Sequence, residues 1–218
     1  MWENEKKAVL DAAKSMCDKG LVVGTSGNVS VRLPTADGRE LLAISPTSIP
    51  YDTMKMEDIV IVDFDGQRVE GELTHSIETM LHIAIYKARK KINAVIHTHP
   101  IFGGVVCVLG HDIPAILDDQ VTYLGGEIKL APYALPGSSE LANNVVTALG
   151  PRNAVVLANH GALATGRDMK EAFTHCEMLE KTAKTYVHAL SAGEIVPLPK
   201  EAYELEHAFF LYHFGEEN

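Results

Sequence analysis

The spacing of apolar residues predicts a chain in which helices alternate with short strands. Apolar positions recur at helical spacing in four segments, which lie at residues 3–19, 76–89, 138–149 and 169–189. Gly20 follows the first of these where a helix C-terminal cap is expected, and the proline-rich stretch 196–200 leads into a C-terminal helix. Residues 24–32 begin as a turn of small residues and continue as a predicted strand. Short runs of alternating or continuous apolar residues predict further strands at 41–44, 59–64, 67–69, 93–97, 128–131 and 154–158.

Two pairs of these strands have the turn residues of hairpins. Residues 24–32 pair with 41–44 across Ala36-Asp37-Gly38, and residues 59–64 pair with 67–69 across Asp65-Gly66. Strands mixed with helices indicate a layered α/β domain. Because the sequence contains neither an internal repeat nor a convincing linker, we expect residues 1–218 to form a single domain.

Composition narrows the classes of partner. The chain has 218 residues, of which 46% are hydrophobic, so it can bury a sizeable core. The chain contains 19 Lys and Arg residues and 29 Asp and Glu residues, so its formal net charge is -10. A protein with this balance has no basic field to attract a phosphate backbone, so nucleic acid is not an expected partner.

Other features indicate the compartment. The N-terminal residues lack the apolar segment of a signal peptide, and the longest apolar run, Ile101 to Leu109, is too short to cross a bilayer. We therefore expect no membrane partner. The three cysteines, Cys17, Cys107 and Cys176, are odd in number and widely spaced, which favours buried free thiols in a reducing compartment. Together these features predict a cytoplasmic protein.

Three histidines have the spacing of a metal site. His97 and His99 are separated by one residue on a predicted strand, so both imidazoles point to the same face. His160 directly follows another apolar strand and offers a third ligand, which would leave one coordination position open. Glu78 begins a helix shortly before the histidine pair and is a candidate to move a proton. Surface or core histidines are the alternative interpretation of the pair.

The remaining histidines carry weaker signals. His82 lies within a helical apolar pattern, so we interpret it as a core histidine with satisfied hydrogen bonds. His75 stands next to the candidate segment and belongs either to the pocket or to its rim. No metal-ligand spacing connects the others, which are His111, His175, His188, His207 and His213.

Six motifs in order along nearly the whole chain carry a family resemblance. They are Gly24-Thr25-Ser26-Gly27-Asn28-Val29-Ser30, Ser45-Pro46-Thr47-Ser48-Ile49-Pro50-Tyr51, Ser76-Ile77-Glu78 with His82 following, His97-Thr98-His99-Pro100, Ala131-Pro132-Tyr133 and Asn159-His160-Gly161. This combination, with its spacing from Glu78 to His97 and from His99 to His160, resembles the class II aldolase/adducin-head family. Within the family, it is most similar to the fuculose-phosphate aldolase branch.

The resemblance implies a site and a reaction. His97, His99 and His160 would bind Zn²⁺, or another divalent metal such as Mn²⁺ or Co²⁺, and Glu78 would be the catalytic acid and base. The phosphate of a ketose 1-phosphate would be held by Thr25, Gly27, Asn28, Thr47, Ser48 and Ser76. The enzyme would cleave that sugar into dihydroxyacetone phosphate and an aldehyde through a metal-stabilised enediolate. A raised pKa of Glu78 would suit this task.

The resemblance also implies an architecture. The family fold is a three-layer α/β/α sandwich around a mostly antiparallel central sheet. Its members commonly form homotetramers with the sites near subunit interfaces. The C-terminal segment 209–214 would either close a neighbouring site or form a helix that packs on its own subunit.

Departures from the branch concern the substrate. Ile77 replaces a serine, so one phosphate hydroxyl donor is missing, and Pro136 replaces an aromatic residue of the aldehyde pocket. Asp118 stands in place of a tyrosine, as a possible pocket residue or as part of a solvated loop. Alternative functions are therefore a 5-deoxypentulose- or methylthioribulose-1-phosphate aldolase or dehydratase, a pentulose-phosphate 4-epimerase, a decarboxylase of the same fold, or a non-catalytic binding module.

Overall fold

The chain folds around one mixed sheet with helices on both sides. The computed structural model describes residues 2–35 and 38–215. The helices are α1 (Glu3–Asp18), α2 (Thr79–Ala88), α3 (Ile101–Leu109), α4 (Asp118–Leu124), α5 (Ser139–Leu149), α6 (Met169–Ala192) and α7 (Lys200–Phe214), with a short 3-10 helix at Met56–Asp58. The strands are β1 (Asn28–Arg32), β2 (Leu41–Ile44), β3 (Val60–Asp63), β4 (Arg68–Glu70), β5 (Ala94–Thr98), β6 (Lys129–Ala131), β7 (Ala154–Leu157) and β8 (Gly161–Gly166).

The strands form an eight-stranded sheet within the described residues. Their order is β4-β3-β2-β1-β5-β8-β7-β6. Every neighbouring pair is antiparallel except β6 and β7, which run parallel. The predicted three-layer α/β/α sandwich around a mostly antiparallel sheet is therefore confirmed.

Two apolar cores lie on opposite faces of the sheet. The first core joins α1, α3, α4 and α6 to the sheet, with Met16, Cys107 and Leu179 among its buried residues. The second core joins α2 and α5 to the other face, with Ile85 and Val145 among its buried residues. Because side chains alternate along each strand, neighbouring residues contribute to different cores.

Most predicted elements are present, with some differences. Both hairpins form, although Ala36 and Asp37 of the first turn lie outside the described residues. Strand β8 was not predicted, because its small residues, Gly161-Ala162-Leu163-Ala164-Thr165-Gly166, have weak strand propensity. Helices α3 and α4 were not predicted either, since α3 is short, apolar and interrupted by a glycine pair.

The last helix packs on its own subunit. Helix α7 contacts α4, and the buried ring of Phe210 lies directly against Gly125, where an added Cβ would stand 2.7 Å from the ring. Glu206 accepts a hydrogen bond from Thr122 at 2.6 Å. One of the two predicted arrangements of segment 209–214 is thus observed. Phe209 and Tyr212 on the same helix are exposed.

Two sequence-based expectations concern thiols and membranes. The three cysteines are free thiols, but Cys17 is exposed, so the expectation that all three are buried is wrong for this residue. Its position on the outer side of the amphipathic helix α1 explains the exposure. None of the described helices combines the length and apolar character that a membrane crossing requires.

Candidate metal centre

The pairing of three strands brings the predicted metal ligands together. His97 lies near the end of β5, and His99 follows that strand and donates its backbone N–H to the oxygen of Leu21 at 3.0 Å. His160 occupies the turn between β7 and β8, next to Asn159, whose φ is 54°. Since β5 and β8 are paired antiparallel, the turn that carries His160 lies beside the end of β5.

The three imidazoles form a compact group. One ligand atom from each of His97, His99 and His160 lies within 4.8 Å of the others, and the Nε2 atoms of His97 and His99 are 3.0 Å apart. The rings meet edge to face, with centroid separations of 4.8 to 5.1 Å. Three nitrogen donors at this spacing could hold one divalent ion.

The protonation state of the group suits a metal. The Nδ1 atom of His97 lies 2.9 Å from the oxygen of Ala162, to which it donates, so its Nε2 keeps a free lone pair. Burial lowers the pKa of His99 to about 4 and also lowers the pKa of His160. Neutral imidazole is the form that binds metals, so these residues fit a divalent ion at neutral pH.

Glu78 lies against the histidine group. It occupies the N-cap of α2 and is 4% exposed. Its Oε2 is 3.2 Å from Nε2 of His97, and its Oε1 is 3.5 Å from Nε2 of His160. Asn28 donates from Nδ2 to Oε2 of Glu78 at 2.8 Å.

The pKa of Glu78 differs from the expectation. Burial raises the pKa of this carboxyl, but the hydrogen bond from Asn28 and the attraction of the His97 and His160 rings in their protonated form outweigh burial and lower the pKa of Glu78 in the metal-free protein. This direction is opposite to the raised pKa that would suit the proton-transfer task. The sequence pattern showed that Glu78 begins a buried helix, but the stabilising neighbours come from distant parts of the chain.

The first predicted phosphate loop packs against the histidine group. A Cβ on Gly27 would lie 2.6 Å from the backbone oxygen of His97, so only glycine fits this position. The hydroxyl of Tyr51 donates to the oxygens of Gly27 and Ser26, at 2.6 and 3.1 Å, and holds the turn in place. Thr25 is exposed in this turn.

The other predicted phosphate residues lie near Glu78. Buried Ser76 accepts from the backbone N–H of Glu78 through its Oγ at 3.2 Å, and its own N–H donates to the oxygen of Ser45. The Thr47 and Ser48 hydroxyl oxygens are 3.4 Å apart, and Ser48 has a φ of 62°. Backbone hydrogen bonds thus join segment 45–48 to segment 74–76, which precedes Glu78, and the phosphate role of both loops stays a prediction.

Asp118 lies elsewhere. It is the exposed first residue of α4, and its backbone oxygen accepts from the Thr122 hydroxyl. Within residues 2–35 and 38–215, no hydrogen bond or ion pair joins it to the histidine group. Gln120, two residues further along α4, is buried and makes three hydrogen bonds to backbone groups. The polar segment 118–120 therefore starts a helix and is not a solvated loop.

The sequence predicted the contacts of His82 and His75 only in part. His82 is fully buried as predicted, and its Nδ1 lies 2.7 Å from Oγ of Ser30, but its Nε2 has no partner among the described residues. His75 is half-buried, and its Nδ1 lies 2.9 Å from the Thr79 hydroxyl. The sequence analysis did not predict the contact between His82 and Ser30. The available signal was the spacing of four residues between Glu78 and His82, which places these two side chains on one face of the helix.

Comparisons with known proteins agree with this geometry. A family model described as the class II aldolase and adducin N-terminal domain matches residues 7–187. A 5-deoxy-D-ribulose 1-phosphate aldolase of Bacillus thuringiensis is 36% identical over 206 residues, covering 94% of each chain. An L-fuculose phosphate aldolase of Haemophilus influenzae is 37% identical over 190 residues, covering 87% of this chain and 85% of the relative.

A solved structure extends the agreement to the fold. A structure of an L-fuculose 1-phosphate aldolase matches with a TM-score of 0.88 at 36% identity, covering 95% of this chain and 96% of the other. The predicted resemblance and the predicted lyase class are thereby confirmed. Class II aldolases are metal-dependent, and the histidine group could bind such an ion. The chain belongs to the class II aldolase and adducin N-terminal domain family.

Proposed function

We propose that this chain is an aldolase that cleaves a ketose 1-phosphate into dihydroxyacetone phosphate and an aldehyde. One observation carries the proposal. Ligand atoms of three imidazoles lie within 4.8 Å of one another, and Oε2 of Glu78 lies 3.2 Å from Nε2 of His97. A ligand set with an adjacent proton acceptor is the arrangement that cleavage next to a carbonyl requires.

The proposed metal ligands are His97, His99 and His160, with zinc as the expected ion and manganese or cobalt as alternatives. A bound divalent cation would supply Lewis-acid stabilisation of the negative charge that develops on the substrate oxygens. The imidazoles are oriented by the protein itself, since His97 is fixed by Ala162 and the β5–β8 pairing sets the distance to His160.

Glu78 is the proposed proton carrier. A carboxyl group is ordinarily ionised at neutral pH, so in the condensation direction Glu78 accepts the proton from the carbon next to the carbonyl. In the cleavage direction the same group returns a proton to that carbon, by microscopic reversibility. The amide of Asn28 holds Oε2 of Glu78 in place for both directions.

The proposed phosphate ligands are Thr25, Gly27, Asn28, Thr47, Ser48 and Ser76. The proposal is supported by the packing of the Gly27 turn on His97 and by the hydrogen bond from Thr47 to Thr74, before Glu78; backbone N–H groups and hydroxyls of such loops can meet an anion without a net positive charge. Asn28 already donates to Glu78, so its contribution to phosphate would come in addition to that contact.

A second candidate substrate is a 5-deoxypentulose 1-phosphate. Ile77, next to Glu78, is 62% exposed, and Leu135 is 68% exposed. The loop that carries Leu135 lies close to Ile77, since a Cβ on Gly137 would stand 3.0 Å from the oxygen of Ile77. Because Ile77 stands where a phosphate donor is expected, it is Leu135, next to Pro136 of the expected aldehyde pocket, that favours an aldehyde half with an apolar end.

We further propose a cytoplasmic homotetramer with sites near subunit interfaces. The exposed apolar residues Ile101 and Val108 on α3, and Phe209 and Tyr212 on α7, support subunit contacts on these helices. The free thiols support a reducing compartment. Light scattering coupled to gel filtration tests the tetramer, and a monomeric mass contradicts it.

The function is tested with zinc-loaded protein and a panel of ketose 1-phosphates. Release of dihydroxyacetone phosphate is coupled to its reduction by an auxiliary dehydrogenase. We expect release with fuculose, ribulose or 5-deoxypentulose 1-phosphates, and the ratio of kcat/KM values ranks the aldehyde half. Absence of release across the panel, with one metal ion bound per chain, contradicts the aldolase assignment.

A further inference from the structure

Strand β1 is polar on the side that faces α2, although it lies inside the sheet. Val29 and Val31 on its opposite side join the first apolar core. On the same side, the neighbouring strand β2 presents Leu42 and Ile44, and β5 presents Val95 before the proposed metal ligand His97. The polar residues of β1 on this side are Asn28, Ser30 and Arg32. Buried polar groups in a core are costly unless they are hydrogen-bonded, so this side of β1 needs an explanation.

Helix α2 supplies the partners from one of its faces. Glu78, His82 and Tyr86 are spaced by four residues, so they lie in one row along the helix. The row faces β1, and all three side chains are buried. Asn28 contacts Glu78 at one end of the row, with the Nδ2–Oε2 distance of 2.8 Å.

The middle of the row is a chain of three side chains. Oγ of Ser30 lies 2.7 Å from Nδ1 of His82 and 2.8 Å from the hydroxyl of Tyr86. All three residues have essentially no exposed surface. At the far end, Arg32 donates to the backbone oxygen of Tyr86 at 2.7 Å, and its guanidinium lies 5.1 Å from the Tyr86 ring centroid. We call Ser30, His82 and Tyr86 the buried triad.

The hydrogen bonds of the buried triad have one consistent direction. Among the described residues, the Tyr86 hydroxyl contacts the Ser30 hydroxyl and the backbone of Val95, and because the Val95 contact lowers the pKa of Tyr86, Val95 donates there and offers the phenol proton no acceptor. If Nδ1 of His82 donated to Ser30, the Ser30 proton would point to Tyr86, and the buried phenol proton would have no acceptor. The Tyr86 hydroxyl therefore donates to Ser30, Ser30 donates to Nδ1 of His82, and His82 carries its proton on Nε2.

In this direction the proton on Nε2 of His82 has no hydrogen-bond partner among the described residues. Nε2 of His82, Oδ1 of Asn28 and Oε1 of Glu78 are buried and without a hydrogen-bond partner among the described residues. The orientation of the Asn28 amide is set by Glu78, because only its Nδ2 can donate to a carboxylate. The assigned direction leaves one group of the triad unpaired, the Nε2 proton, whereas the opposite direction leaves both the phenol proton and the Nε2 lone pair unpaired.

We propose that Ser30, His82 and Tyr86 are positioning residues that hold α2 against β1 and thereby hold the Glu78 carboxylate against the histidine group. This inference rests on the proposed function of Glu78 as the proton carrier. The backbone N–H of His82 donates to the oxygen of Glu78 at 3.3 Å, so a shift of His82 moves the turn that carries Glu78. Burial lowers the pKa of His82 to about 3 and raises the pKa of Tyr86, so both side chains stay neutral at physiological pH.

The direction of the triad is tested without catalysis. Long-range ¹⁵N–¹H correlation spectra of the metal-free protein distinguish the two tautomers of His82. We expect a proton on Nε2 and none on Nδ1, and we expect Ser30→Ala to shift the Nδ1 resonance. A proton on Nδ1 in the wild-type protein overturns the assigned direction.

The positioning role is tested by the proton step. Tyr86→Phe and Ser30→Ala should lower kcat for solvent hydrogen exchange into dihydroxyacetone phosphate by about 10-fold, while KM stays within about twofold and the zinc content is unchanged. The matched control is Tyr186→Phe, which removes a phenol that also contacts a histidine, His111 at 3.2 Å. The control should leave kcat unchanged.

The outcomes separate this inference from the proposed function. If both triad variants lose thermal stability but keep the wild-type kcat, the triad is purely structural and the positioning role is overturned. If the wild-type protein with bound metal neither cleaves ketose 1-phosphates nor exchanges the proton, the proposed function fails instead. The His82 tautomer then still supports or overturns the triad, because its measurement requires no turnover.

Discussion

The two faces of the sheet use burial in different ways. The first face, under α1, α3, α4 and α6, is packed with apolar side chains. The second face, under α2 and α5, has an apolar core of its own. On this face β1 also presents polar side chains to α2, and their contacts end at the histidine group through Asn28 and Glu78. The first face therefore serves mainly stability, and the second combines stability with the orientation of chemical groups.

Among the residues that the structure describes, each face contains one fully buried histidine outside the metal group, and the surroundings of the two differ. On the first face, Nδ1 of His175 lies 2.6 Å from the backbone oxygen of Thr165. On the second face, His82 contacts the hydroxyl of Ser30, which contacts Tyr86. Burial lowers the pKa of both histidines. The comparison shows that the burial of a histidine alone does not indicate a role, whereas its partners do.

The largest expected effect comes from removing a metal ligand. His97→Ala or His160→Ala should lower metal affinity by more than about 100-fold and abolish activity. Losing a residue that only hydrogen-bonds to a metal ligand typically lowers metal affinity by about 10- to 100-fold, and losing the ligand itself lowers it further. Metal analysis after gel filtration and the aldol assay measure both. The control is His213→Ala, a change at an exposed histidine of α7, which should have neither effect. Full activity in either ligand variant contradicts the site.

The first face is probed with a core truncation. Leu179→Ala removes a side chain that is 1% exposed and should lower the free energy of unfolding by about 3 kcal/mol through cavity formation. Chemical denaturation measures this change. Below the unfolding transition, kcat should equal the wild-type value, and a large fall in kcat would show that the two faces are not separate in their roles.

Glu78→Gln probes the chemical end of the second face. The amide keeps the shape of the side chain but cannot accept a proton, so kcat should fall by about 100-fold while zinc is retained. Single-turnover kinetics and metal content measure the two quantities. Loss of zinc in this variant would identify the carboxylate as a metal ligand and contradict its assignment as a proton carrier alone.

The smallest expected effect is a pH dependence of stability from His82. Its pKa is about 3 in the folded protein, below the ordinary 6.5, so the unfolded chain binds more protons between these values. The contribution is complete above pH 6.5 and is lost as the pH falls, by about 2 kcal/mol at pH 5. Denaturation of metal-free His82→Gln should show a correspondingly flatter profile between pH 7 and 5, and equal slopes would exclude this contribution.

Local signals in the sequence predicted much of the fold and the candidate site. The hairpin pairs, the helix that begins after Glu78 and the positions of His97, His99 and His160 follow from periodicity, turn residues and motif spacing. Strand β8 was missed, because its small residues satisfy no strand pattern and are recruited by pairing with β5 and β7. Helix α4 was missed, because its polar start has the composition of a loop.

By itself, the sequence determined the family resemblance, the layered architecture and the residue types of the candidate metal group, since each is encoded in motifs and periods along the chain. Only the tertiary structure decided the lowered pKa of Glu78, the position of Asp118 at the start of α4 and the contacts of His82. The physical reason is that these properties depend on groups brought together by strand pairing across long stretches of chain. Asn28 and Glu78, for example, are 50 residues apart in the sequence and 2.8 Å apart in the fold.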